Sequence, residues 1–429
     1  MAEEGRRGRQ AQREEDGELV QRGRREEQND GPVGVVLAGA GARGAYEAGM
    51  LSELLPELDK RGQRPSVFVG TSAGAINAVL FASLAHLTAG DAAREAVSMW
   101  RSMRKNQIFR PVLPSGLAAA ARYLASLANL PVRLTGGLLD TQPLLDTLSS
   151  DKKLNWPRLR DNMSSGKVEA VAVVTTVCRT GRTEIFVQGH RAGRLDPGGD
   201  ADRAVDYVNA QLEPEHVLAS AAMPVLFPPV RITTEGADGW YMDGGVRLNA
   251  PIKPAIALGV KKVVVIATDP AEYLARPLDE KAGPPPMVQD TFAQLLKGAL
   301  VDRMIEDLHT LTKINELVGG GAEAVKSRTG RQYRVVERLF AGPAPGAIDE
   351  LGQLANTVFT TDFAGARAIA YPDLWLLGSL LGPTMSRGEL LSYLFFEPEF
   401  VDQAIELGQR DARRILAQAG NGDLWKLEE

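Results

Sequence analysis

Ser72 lies in Gly70-Thr71-Ser72-Ala73-Gly74, with a glycine two residues away on each side. At the end of a strand and the start of a helix, this spacing makes a nucleophile elbow. The turn is so tight that a Cβ at Gly70 or Gly74 would strike neighbouring backbone, and it pushes the serine hydroxyl outward. The helix behind it points its positive N-terminal end at the place where negative charge develops during attack. Val67-Phe68-Val69 supplies the strand and about Ala73 through Leu84 the helix. Alone the match is weak, because small residues gather in any strand-to-helix turn.

A second glycine cluster, Gly39-Ala40-Gly41-Ala42-Arg43-Gly44, follows the apolar run Val33–Leu37. It also fits the GxGxxG of a dinucleotide site, which requires an acidic residue about 20 positions on, at the end of the next strand. The candidate acid, Asp59, falls at the end of a helix instead, and the next strand ends in Ser72. The other use of such a loop is to offer backbone amides to an oxyanion. Two neighbouring parallel strands would then place donors and nucleophile side by side.

The third residue is Asp243, in Tyr241-Met242-Asp243-Gly244-Gly245 at another strand end. Asp-Gly pairs are common in plain turns, and taken alone this is one. A serine nucleophile, however, needs a group to take its proton. None of His86, His190, His216 and His309 has a matching local signature; His309 follows Asp243 in the Ser, Asp, His order of the α/β-hydrolases but lies in an amphipathic helix, Asp302–His309. An aspartate touching the serine directly serves as base if desolvation raises its proton affinity.

The elements that must position these groups read as an α/β core with a helical extension. Strands are expected at Val33–Leu37, Val67–Val69, Val168–Val177, Thr183–Val187, up to Met242, at Lys261–Ala267 and over Tyr333–Phe340. Helices are expected through Tyr46 to Leu54, Ala73–Leu84, His216–Ala222, Val288–Val318 and Pro398–Ala419, with residues 91 to 150 helical and proline-broken. Asp140 reads as a helix N-cap. Leu117–Leu130 carries a single charge, Arg122, and is either an interior helix or a lid that touches a membrane.

Composition narrows the class. A chain of 429 residues with 44% hydrophobic and 24% charged residues can bury a real core. A net charge of −5 gives no pull toward nucleic acid. The lone Cys178 excludes an internal disulfide and, next to Val171–Val177, is expected as a small buried hydrophobe; the four histidines lack ligand spacing, so no metal or other cofactor is expected. Met1–Asp30 is a mixed-charge run with almost no apolar residues, read as a disordered tail rather than a signal peptide. With no apolar run near the roughly 18 to 20 residues of a spanning helix, a cytoplasmic protein is expected, with peripheral contact at a membrane surface left open.

Taken together, the loop Gly39–Tyr46, Gly70–Gly74, Asp243-Gly244-Gly245 and the stretch Ala219-Ser220-Ala221-Ala222-Met223-Pro224-Val225-Leu226-Phe227-Pro228-Pro229 resemble the patatin-like phospholipases in their bacterial form. Four motifs in the right order, over about residues 33 to 270, make the resemblance specific. One departure stands out, since the family's loop usually has three successive glycines and the middle one here is Ala40. A methyl there is tolerated if φ is negative.

The resemblance implies a three-layer α/β/α fold with a central, mostly parallel sheet, residues 31–280 as catalytic domain and 281–429 as a mainly helical extension packed on it. It also implies a Ser72–Asp243 dyad hydrolysing a lipid acyl ester through an acyl-serine. Amides of Gly39, Ala40 and Gly41, with Ala73, would hold the oxyanion, and Gly44, Gly70, Gly74, Gly244 and Gly245 would shape the turns. Arg43 occupies the family's basic position, where pairing with a carboxylate is the simpler role and steering a phosphate headgroup the other. The competing classes are a nucleotide-binding oxidoreductase and a catalytically silent lipid-binding protein of the same fold.

Overall fold

Four short β-branched runs build the middle of the molecule: β1 (Val33–Leu37), β2 (Val67–Thr71), β3 (Ala170–Val177) and β8 (Lys262–Ile266). They are buried almost throughout, as parallel strands covered on both faces must be. The computed structural model describes residues 31–110, 137, 139–196, 199–200, 204–224, 226–270, 303–319, 333–345, 347, 349–362, 385–420 and 422–426. The tail 1–30, the stretch 117–130, the 284–286 proline run and the first half of the helix expected over 288–318 lie outside them.

The remaining strands are β4 (Thr183–Gln188), β5 (Val205–Asn209), β6 (Val230–Thr234), β7 (Ala237–Asp243) and β9 (Glu337–Ala341). The sheet runs β5-β4-β3-β2-β1-β8-β9, with β7 added to β3 and β6 to β7. The pairs β3–β2, β2–β1, β1–β8, β8–β9 and β4–β5 are parallel; β3–β4, β3–β7 and β6–β7 are antiparallel.

Alternation along the strands separates two apolar cores. Val35, Leu37 and Phe68 face α1 (Gly44–Lys60), α2 (Ala73–Ser83) and α3 (Ala89–Ser102), whereas Val36, Val67 and Val69 face the opposite core. The first layer also holds α4 (Gln142–Leu148), α5 (Trp156–Ser164) and α6 (Pro214–Ser220). The second contains α7 (Ile252–Ala257) and α8 (Arg303–Gly319). This is the expected α/β/α arrangement with a mostly parallel sheet.

Among the described residues three C-terminal helices follow, α9 (Glu350–Asp362), α10 (Met385–Leu394) and α11 (Pro398–Ala419). α11 crosses α1 through two glycines, Gly49 against the Ile405 carbonyl and Gly408 against that of Tyr46. The Tyr46 hydroxyl donates to Asp411 at the same crossing, 2.8 Å.

Some expectations shift. β9 starts at Glu337 rather than Tyr333, because the ladder to β8 opens there, with Glu337 opposite Lys262 and its N–H donating to the Lys261 carbonyl at 2.9 Å. α6 begins at Pro214, whose fixed φ suits the first turn. The N-cap of α4 is Thr141 rather than Asp140, which stands one residue earlier; its carboxylate still accepts the Gln142 N–H, at 2.9 Å. Cys178 corrects the reading made of it. It lies just past the end of β3 in an exposed turn, so its side chain leaves the apolar surroundings of Val171–Val174.

Candidate active site

β3 acts as a ruler for the site. β2 runs parallel to it and ends with Thr71 opposite Val174; β7 runs antiparallel and ends with Asp243 opposite Thr175. Two strands thus approach head-on along one neighbour, one register step apart, and the residues at their tips, Ser72 and Asp243, meet. Ser72 is 6% exposed and Asp243 4%.

The elbow has the strain its motif requires. Ser72 has φ +55 and ψ −125, outside the region an L-residue favours, between β2 and the N-terminus of α2. Its N–H donates to the Ser220 hydroxyl at 2.9 Å, which in turn donates to the Val174 carbonyl at 2.6 Å. Thr71 is fixed by a hydroxyl bond to the Leu248 carbonyl, 3.0 Å. A Cβ on Gly70 would enter the Gly74 carbonyl, and one on Gly74 would enter that of Leu37, so both positions admit only glycine.

Asp243 is held from three sides. Its N–H donates to the Ala222 carbonyl at 2.9 Å, and its carbonyl accepts from the Thr176 hydroxyl at 3.0 Å. Its Oδ1 accepts from the Gly245 N–H at 2.7 Å, and Gly244 packs against the Val174 carbonyl with no room for a side chain. Burial pushes the Asp243 carboxyl up to about 6, against the lowering by the Gly245 N–H and by the neighbouring Ser72 hydroxyl. A buried carboxylate beside a serine hydroxyl, with a proton affinity near neutrality, can accept that proton.

The glycine-rich loop leaves β1 beside the elbow. The Gly39 amide differs from the expectation, because it is committed to Asn249, whose Oδ1 accepts at 2.8 Å. The Ala40 and Gly41 amides donate to no described residue. Ala40 has φ −142, so its methyl is accommodated as expected; Gly41 has φ +55. Gly44 opens α1 against Trp100 and the Ala73 Cβ, where no further atom fits.

Arg43 points away from solvent and is fully buried. It meets Asp349 at 3.0 Å, Asp269 at 3.7 Å and the Ser392 hydroxyl at 2.6 Å, and it stacks 4.4 Å from the centre of the Tyr393 ring. Carboxylate pairing is therefore its role, and a headgroup could not reach it.

His309 is exposed on α8, and His216 is engaged with the Glu213 N–H and the Thr234 hydroxyl. Asp59, the acid a dinucleotide would need, pairs with Arg64 near the end of α1. Ser220 and Asn249 were missed as site-forming residues. Ser220 lies inside a motif quoted for the family, and Asn249 is the lone polar residue of Leu248-Asn249-Ala250.

Among solved structures, VipD from Legionella pneumophila aligns at 14% identity over 91% of this chain and 67% of its own, with a TM-score of 0.32. ExoU, in a structure with SpcU from Pseudomonas aeruginosa, aligns at 12% identity over 91% and 79%, with a TM-score of 0.25. Similarity at this level bears on neither mechanism nor partners. No curated protein sequence gives a significant match. The family model is different in kind, since the patatin-like phospholipases match residues 35–256, more than half of the chain and all three turns, so that the chain belongs to that family and with it to the lipid hydrolases.

Proposed function

We propose that the protein cleaves lipid acyl esters with Ser72 as nucleophile and Asp243 as its only general base. Ser72 Oγ attacks the ester carbonyl while its proton passes to Asp243. The oxyanion is held by the Ala40 and Gly41 amides and by Ala73 at the head of α2, Gly39 serving to anchor the loop through Asn249. Collapse expels the alcohol, which takes the proton from Asp243 and leaves an acyl-serine. Water then attacks that ester, giving its proton to Asp243, and departure of the acid returns the proton to Ser72.

The observation that carries this reading is the juxtaposition, at the tips of β2 and β7, of a strained serine and a buried carboxylate whose pKa is pushed up to about 6. The substrate is a lipid acyl ester; among the described residues no helix is long and apolar enough to cross a membrane. A fluorophosphonate is expected to label Ser72 in the wild type and to leave Ser72→Ala unlabelled. p-Nitrophenyl ester turnover is expected to fall by about 10³-fold or more in that variant. Wild-type turnover retained in Ser72→Ala would end the proposal.

The same carboxylate sets a pH profile. Asp243 must be ionised to accept a proton, so kcat/KM is expected to fall about tenfold per pH unit below roughly 6. A rate flat from pH 5 to 8 would show that Asp243 is not the base.

A further inference from the structure

We propose that the C-terminal segment completes the oxyanion loop, with Arg43 as the positioning residue through which Asp349 and Ser392 hold the Ala40 and Gly41 amides in place. The inference rests on the function proposed above and goes beyond it by making residues some 300 positions from Ser72 part of the reaction.

Arg43 is tied at both ends. Its backbone N–H donates to the Ala40 carbonyl at 3.0 Å and closes the loop on itself. Its guanidinium donates from Nε to Ser392 at 2.6 Å and from Nη2 to Asp349 at 3.0 Å and the Glu389 carbonyl at 3.5 Å. Ser392 in turn donates to the same Glu389 carbonyl, 2.5 Å away, so the guanidinium meets a pre-oriented hydroxyl. A second grip lies one residue on from Ser392, where the Tyr393 carbonyl occupies the space a Cβ of Gly41 would need. The loop is thus caught between its own strand and α10, at the two residues whose amides are free.

The grip is built at a cost that a plain scaffold would avoid. A fully buried cation is expensive to desolvate, and leaving it unpaired would cost several kcal/mol more. Burial works against the charge, but Tyr393, Asp349, Asp269 and Glu389 outweigh it and keep Arg43 charged. Asp349 takes φ +23, a strained value for a non-glycine, while its Oδ1 accepts both from Arg43 and from the Gly352 N–H at the start of α9. Strain at a residue facing the loop, rather than in the core, is what a positioning device requires. Oxyanion donors act through placement, and a displacement of about 1 Å costs roughly 10²-fold in rate.

The experiment uses the full chain. Active sites are titrated with a fluorophosphonate, and kcat per titrated site and KM for a p-nitrophenyl ester are measured in Ser392→Ala, Asp349→Ala and Asp349→Asn, beside thermal melting. The expected result is a 10- to 100-fold fall in kcat per site in the two alanine variants, with KM within about twofold. Asp349→Asn, which keeps the acceptor, is expected to recover most of the loss. A purely structural role would lower the melting temperature and the titrated fraction but leave kcat per site intact, and kcat within about twofold of wild type in Ser392→Ala overturns the proposal, as does a loss carried wholly by KM. Ser392→Ala decides the matter if Asp349→Ala does not fold. If the wild type itself takes up no label, the Ser72 assignment falls first and the clamp with it; a labelled wild type with fully active variants removes the clamp alone.

Discussion

Asp243→Asn is expected to lose 10³- to 10⁴-fold in kcat while becoming more stable at neutral pH. General-base assistance accounts for about 10²- to 10⁴-fold in rate, and no histidine stands behind Asp243 to take over. Asparagine keeps the Gly245 N–H bonded and the turn intact, so loss of the proton acceptor is the change that matters. The stability effect has the opposite sign and follows from linkage. The carboxyl is raised to about 6 in the folded chain from its ordinary 3.8. Between those values the native state holds a proton that the unfolded chain has released, so stability falls as pH rises through this window. Above it the full penalty is present, at most about 3 kcal/mol for a shift of some two units. Asparagine does not titrate. Melting curves should therefore place Asp243→Asn above the wild type at pH 7.5, with the gap closing toward pH 4. A variant equally inactive but less stable at pH 7.5 would mean that the carboxylate is not desolvated, and the basis for its role as base would go with it.

The parts of the site that chemistry marks locally were legible in the sequence. Gly70 and Gly74 flank Ser72 because backbone carbonyls occupy the space of their side chains, and such positions leave a fixed spacing in any chain that uses them. Asp243 was legible as a strand end followed by glycine, though only β3 reveals why it meets Ser72. What was not legible depends on register or on distant partners. β5 and β6 were not anticipated, being short alternating strands near the sheet's periphery that draw their order from β4 and β7. Cys178 was misplaced by one step, since a strand's apolar pattern does not announce the turn that ends it. The commitment of the Gly39 amide to Asn249 spans 210 residues, and the Arg43 to Ser392 bond spans 349. No local pattern encodes either, because each is fixed by how two layers of the fold come together.

Two adjacent residues of the oxyanion loop are expected to answer substitution in opposite ways. Ala40 has φ −142, an ordinary value for an L-residue, and its methyl is already accommodated in the packing. Ala40→Gly removes that methyl without moving the amide, so ester turnover should stay within a few-fold of wild type, with a stability loss of about 1 kcal/mol from added chain freedom. Gly41→Ala meets two obstacles at once. Its φ of +55 costs an L-residue about 1–2 kcal/mol, and its new Cβ would overlap the Tyr393 carbonyl, which is backbone and cannot rotate aside. Either the loop or α10 must shift, and both alternatives displace the Gly41 amide from the oxygen of the carbonyl whose carbon Ser72 attacks. Loss of one oxyanion donor costs about 10²- to 10³-fold in kcat, and the Ala40 amide moves with its neighbour, so a loss at the upper end or beyond is expected. Steady-state kinetics on both variants, with fluorophosphonate titration to count competent sites, separates the two outcomes. Near-wild-type kcat in Gly41→Ala would place the oxyanion away from this loop, whatever Ser72 and Asp243 do.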